Sequence, residues 1–86
     1  MRIEKKVWPE YFQLILEGKK KFELRLADFE CKPGDVLVLR EWDPKTGGYT
    51  GRAAEKRVGY VFKTKGAMFW PKEEVEKHGL QIISFD

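Results

Sequence analysis

Cysteine and histidine are nearly absent from this chain: Cys31 and His78 are the single examples of each among 86 residues. A lone cysteine excludes an internal disulfide and suits a reducing compartment. One cysteine and one histidine do not make the ligand spacing of a zinc site. The sequence also has no glycine-rich phosphate loop and no serine–histidine pairing. Redox chemistry, a bound metal and a cofactor are therefore not expected. No apolar run approaches the ~20 residues of a membrane span. The opening Met-Arg-Ile-Glu-Lys-Lys carries no apolar core of a secretion signal. The expectation is a cytoplasmic protein with no membrane partner.

The chain has hydrophobic residues enough to fold: they make up 42% of it, with 14% aromatic, and the aromatics are spread along its whole length. A length of 86 residues allows one domain, residues 1–86, with a modest core. Charged residues reach 36%, yet the net charge is only +3. Any affinity for nucleic acid must then come from local clustering of cations rather than from global charge.

Arg2 to Val7 reads as a first strand with Ile3 inward. Trp8-Pro9-Glu10 reads as a helix start, since proline suits the first turn and a carboxylate there suits the helix dipole. Tyr11, Leu14, Ile15 and Gly18 recur at helical spacing, which predicts a helix over Pro9 to Glu17 closed by the glycine. A strand over Lys20–Leu26 follows, with Phe22, Leu24 and Leu26 on one face by alternation and Glu23 and Arg25 on the other. Lys32-Pro33-Gly34-Asp35 is a turn. Val36–Trp42 is the most apolar strand, with Leu37, Leu39 and Glu41 on one face. Asp43–Gly48 is a hairpin loop, and Tyr49–Phe62 returns as a long strand whose inner face takes Ala54, Val58, Tyr60 and Phe62. A short helix over Lys72–His78, ended by Gly79, precedes a last strand over Leu80–Phe85. The fold class expected is mainly β with two short helices, closed as a small mixed barrel.

The segment Gly18-Lys19-Lys20-Lys21-Phe22-Glu23-Leu24-Arg25 gathers both signs of charge where a helix hands over to a strand. It reads either as a solvated helix end with a surface ion pair, or as a site. As a site, Lys20 or Lys21 and Arg25 contact phosphate, and Glu23 orients them or bonds a base. Glu41, on the Leu37/Leu39 face, falls at the barrel mouth. A carboxylate there needs partners, for which Lys20, Lys21 and Arg25 are the candidates. Arg40 leaves the same strand on its other face. Tyr49, Arg52 and the Gly47-Gly48 turn offer an aromatic and a cation for a base, although a cross-strand Trp42–Tyr49 pair is the favoured reading. Phe69-Trp70 reads as packing at the core edge, His78 as a helix cap, and Cys31 as a structural thiol.

Together these motifs resemble the ASCH domain family, which shares the PUA-like β-barrel and carries a Gly-x-Lys-x-x-Glu-x-Arg signature after its first helix. The nearest branch is the one called DUF3850. Its pattern is similar to Pro9-Glu10-Tyr11-Phe12, the signature, Lys32-Pro33-Gly34-Asp35, Leu39-Arg40-Glu41-Trp42-Asp43-Pro44 and Tyr49-Thr50-Gly51-Arg52, so that the likeness covers nearly the whole chain. The resemblance implies a cleft facing the barrel opening, lined by Lys20, Glu23 and Arg25, and a role in RNA binding. One ASCH branch hydrolyses the amide of acetylated cytidine with a lysine, a threonine and a later glutamate. Lys20 matches that lysine, whereas Glu23 stands at the threonine position, and a carboxylate does not replace a hydroxyl.

The leading expectation is an RNA- or nucleotide-binding module. In it, Lys20, Lys21, Arg25 and Arg40 meet phosphate or base edges, Glu23 and Glu41 select a base, and Trp42 or Tyr49 stacks beside Arg52. The alternatives are a hydrolase acting on a modified nucleoside, with Lys20, Glu23 and Glu41 as the catalytic candidates, and a protein-interaction domain. A monomer or a weak homodimer, formed through an exposed strand or the Phe69-Trp70 loop, fits either.

Overall fold

A computed structural model of the chain describes residues 1–64, 71–77 and 79–86. The elements run β1 (Arg2–Val7), α1 (Pro9–Leu16), β2 (Phe22–Leu26), β3 (Val36–Asp43), β4 (Gly48–Lys63), α2 (Lys72–Lys77) and β5 (Leu80–Phe85). The fold is mainly β with two short helices, as expected. The readings placed on Phe69, Trp70 and His78 lie outside the described residues.

The strands form one five-stranded sheet in the order β1-β3-β4-β5-β2, with β1 parallel to β3 and the other pairs antiparallel. The expected closed barrel is therefore corrected. The sheet has two edges, β1 and β2, and no backbone ladder joins them. Its curl comes from β4, whose 16 residues pair with β3 in their first half and with β5 in their second. An irregularity between Val58 and Tyr60, at Gly59, lets β4 change direction there. The curled sheet brings its two edges to within reach of one side-chain bridge, in which Arg25 Nη2 on β2 donates to the carbonyl oxygen of Lys6 on β1.

The core fills the concave side. Val7, Leu37, Leu39, Val58 and Ile83 from four strands meet Phe12 and Ile15 of α1, with Cys31 beside them. Helix α1 ends in a Schellman arrangement: the Gly18 and Lys19 N–H groups bond the Ile15 and Leu14 carbonyls, and Gly18 sits at φ 76°. That left-handed residue turns the chain from the helix into the three lysines and β2. The helix buries Phe12 and Ile15, while Tyr11 and Leu14 of the expected stripe are exposed.

The structure settles one strand face that alternation left open and reverses part of another. In β2, Phe22, Leu24 and Leu26 point outward and are 47%, 55% and 48% exposed, whereas Glu23 is buried. Register decides this. β2 pairs with β5 so that Glu23 lies opposite Ile83 and Leu24 opposite Ile82. The inward residues of β5 are Gln81 and Ile83. Since side chains alternate with period two, fixing β5 turns Glu23 and Arg25 inward and the apolar set outward. In β4, Ala54 and Val58 face the core as expected, but the irregularity at Gly59 puts Val61 inward and leaves Tyr60 and Phe62 outside.

Candidate functional site

Inward-facing Glu23 gathers the charges of the signature. Its Oε1 accepts from Lys20 Nζ at 2.8 Å and its Oε2 from Arg25 Nε at 2.8 Å. Lys20 Nζ also donates to the Phe22 carbonyl at 2.6 Å. The carboxylate side chain is only 5% exposed, and its two cationic partners are 17% and 27% exposed. This is a half-buried, two-sided ion cluster rather than a solvated surface pair. Each carboxylate oxygen accepts one of these bonds and keeps further acceptor capacity.

The cluster forms one wall of a slit between the sheet edges. A cleft of about 540 Å³ is lined by Lys20, Glu23 and Arg25 from the β2 side, by Lys6 from β1, and by Trp8 and Tyr11 at the start of α1. Trp8 and Tyr11 are half exposed, so that an indole and a phenol are available to a flat ligand. Arg25 also lines a second cleft of about 350 Å³ with Lys5, Lys6, Arg40 and Tyr49, and a third, of about 330 Å³, with Lys5 and Phe29. The three share Arg25 as a common wall, which makes a track along the slit with cations on both banks.

Beside the second cleft, cations lie on aromatic faces. Lys6 Nζ is 3.9 Å from the Trp42 ring centre, and the Arg40 guanidinium is 3.7 Å from that of Tyr49. Trp42 and Tyr49 are paired across the hairpin and meet edge to face, 5.1 Å apart. The favoured cross-strand reading of these two rings is thus what the structure shows.

Glu41 is inward-facing and buried on the Leu37/Leu39 face, but its partners differ from those expected. Thr50 Oγ1 donates to Glu41 Oε1 at 2.6 Å. Arg52 donates twice, from Nε to Oε1 at 2.9 Å and from Nη2 to Oε2 at 2.8 Å. The Arg52 guanidinium also lies 5.0 Å from the Phe12 ring centre. The Arg52 bonds, then the Thr50 bond, hold the Glu41 carboxyl down at about 2 despite its burial. A carboxylate held this acidic is a poor general base near neutrality. Neither Glu41 nor Arg52 lines the three clefts.

The predicted residues thus divide. Lys20, Glu23 and Arg25 converge; Arg40 and Tyr49 join Arg25 along the slit, with Trp42 beneath Lys6. Glu41 and Arg52 form a separate bidentate pair across the β3–β4 hairpin. Lys21 is exposed and lines none of the clefts, its carbonyl oxygen taking the Phe85 N–H. Sequence reasoning missed Lys5, Lys6, Trp8, Tyr11 and Phe29 as wall residues. Alternation in β1 marks Lys5 and Lys6 as leaving opposite faces, but only the curl of the sheet brings them opposite β2. Cys31 is buried, and burial followed by nearby Asp35 pushes its thiol up. Among the described residues, no three His, Cys, Asp or Glu side chains gather as metal ligands.

These features define a small curled-sheet domain with a charged slit between its edge strands. Residues 4–71 match the family described as "Domain of unknown function (DUF3850)", and the chain belongs to that family. It is 46% identical over 55 residues to an uncharacterized 12.9 kDa protein in the GpA 3' region of Escherichia phage P2, over 64% of this chain and 49% of that protein. The chain thus spans about half the length of that relative. Among solved structures, it is similar to the crystal structure of hypothetical protein PH0355, with a TM-score of 0.70, 22% identity and coverage of 100% of this chain and 98% of that one. At that identity the likeness is one of fold. No helix among the described residues is long and apolar enough to cross a membrane.

Proposed function

We propose that this chain is an ASCH-type, PUA-like module that binds RNA or a nucleotide in the slit between β1 and β2. The observation that carries the reading is the Lys20–Glu23–Arg25 cluster, which faces inward on an edge strand and opens onto a cleft with Lys6, Trp8 and Tyr11. The spacing of Gly18, Lys20, Glu23 and Arg25 supports the ASCH assignment, and the curl of the sheet supports a PUA-like barrel left open at one seam. A base stacks on Trp8 or Tyr11, its exocyclic amine donates to Glu23, and its phosphate meets Lys20, Lys6 and Arg25. Arg40 extends the cationic track toward a neighbouring phosphate.

The test is titration of a fluorescent single-stranded RNA oligomer over a range of salt. With two to four phosphates engaged, log K should fall with log salt at a slope of roughly 1.5–3, and Arg25→Ala should reduce that slope by about 0.7. Lys6→Ala, which removes a cation without touching the Glu23 cluster, should do the same. Equal binding by wild type and both variants at every salt concentration overturns the proposal. The hydrolase reading has less support. Glu41 is committed to Arg52 and Thr50 and lies outside the cleft that holds Lys20 and Glu23.

A further inference from the structure

The convex face of the β2-β5-β4 half of the sheet is apolar and largely exposed among the described residues. Three strands contribute to it in register. Leu24, Ile82 and Phe62 form a central row, Phe22, Ser84 and Tyr60 a second, and Leu26 beside Leu80 a third. Phe22, Leu24, Leu26, Tyr60, Phe62 and Ile82 are between 38% and 62% exposed. No charged side chain lies within these rows. The outward turn of the apolar side of β2 and the face reversal beyond Gly59 in β4 both act to build it.

We infer that this face is a self-association surface on which a second copy of the chain packs sheet against sheet. The area points to that occupant. The six side chains expose roughly 550 Å² together, at the top of the ~300–600 Å² range for the largest apolar patch of a monomer. A standard interface takes about 800 Å² from each partner, and homodimer interfaces are about 65% apolar, so about 520 Å² of apolar surface is required. The face supplies that amount, and its polar rim supplies the remainder. An uncharged sheet face also suits a two-fold contact, in which each residue meets the same patch on its partner and no like charges are opposed. RNA is a poor occupant, since these rows offer no cation to phosphate. A second copy here also backs the slit: Leu24 lines both the first and the third cleft, so the dimer contact abuts the wall that carries Glu23 and Arg25.

Sedimentation equilibrium of the full chain from about 5 to about 200 μM tests the inference. The expected mass is twice the 10.1 kDa of the chain. Leu24→Glu and Tyr60→Glu, which oppose like charges across the two-fold, should give folded monomers by circular dichroism, while Lys45→Glu in the hairpin turn should remain dimeric. Tyr60→Ser removes apolar area without adding charge and should weaken association at least several-fold. A wild-type chain that stays monomeric throughout overturns the inference, as does a dimer unaffected by the face variants. Neither result bears on RNA binding in the slit, because the assay contains no ligand.

Discussion

Among the described residues, Arg25 is the one side chain whose hydrogen bond ties the two sheet edges together, and its removal is the most informative perturbation of the fold. Its Nε donates to buried Glu23 Oε2 at 2.8 Å and its Nη2 to the Lys6 carbonyl across the seam. A hydrogen bond to a charged group contributes about 1.5–3 kcal/mol to stability, and less where water screens it. The Arg25 side chain is 27% exposed, so the lower end applies to each bond. Arg25→Ala should then cost about 2–3 kcal/mol. Glu23 keeps Lys20, so no unpaired buried charge is added to that cost. Arg25→Lys retains the charge but not the fork that serves both partners, and should cost about half as much. For a domain of this size the alanine variant should melt about 8–24 °C lower. Urea unfolding followed by tryptophan fluorescence, with Glu23→Gln and the double variant completing a cycle, measures the terms separately. A loss below about 0.5 kcal/mol for Arg25→Ala, or an Arg25→Lys variant as stable as wild type, would refute the claim that this guanidinium clasps the seam.

Acid should act through Glu41. Its carboxyl sits at about 2 in the folded chain against an ordinary 4.5, so the stability it provides is complete above about pH 4.5 and is lost as pH falls through about 2. Glu41→Gln should therefore lower stability at pH 7 and flatten its dependence on pH between 4.5 and 2. A residual slope should remain from Asp35, whose carboxyl is lowered chiefly by the Lys32 N–H. Urea midpoints at several pH values check this, and an unchanged slope in the variant would count against the Arg52–Glu41 account. Cys31, buried and with its thiol pushed up, should react with a thiol reagent at least ~100-fold more slowly in native protein than in urea. Comparable rates in the two conditions would place the thiol at the surface.

Some of the architecture was legible in local pattern. Lys32-Pro33-Gly34-Asp35 is a turn because Gly34 takes φ 95° and the Asp35 carboxylate accepts the Lys32 N–H at 3.1 Å. Alternation in Val36–Trp42 placed Leu37, Leu39 and Glu41 together because β3 lies between two other strands and has one face on the core. The partner of Glu41 was misjudged because the expected barrel mouth favoured the cations of the signature, although Thr50 and Arg52 are nearer in sequence. Arg52 reaches it only through the hairpin register, with Trp42 opposite Tyr49. The inward face of β2 was not legible for a related reason. Its pattern specifies two faces but not which is inside, and the rule that apolar faces go inward fails where the concave side holds an ion cluster. Its inward face is fixed by pairing with β5, more than fifty residues later in the chain.

That inversion gives the edge strands two roles at once. An unpaired edge is a template for unwanted strand addition, and inward-facing charge and lysine are common protections against it. Here Lys5 and Lys6 stand on β1, and Glu23 and Arg25 on β2. They charge the seam where the sheet fails to close, and Arg25 spans it with a side chain instead of a backbone ladder. A closed ladder would bury the same groups at a desolvation cost that the Lys20–Glu23–Arg25 contacts repay only in part. Leaving the seam open keeps the cations partly hydrated and accessible to an anion. The residues that protect the edges are thus those that line the slit, and the apolar side chains displaced from the interior of β2 lie on the face where a second copy packs.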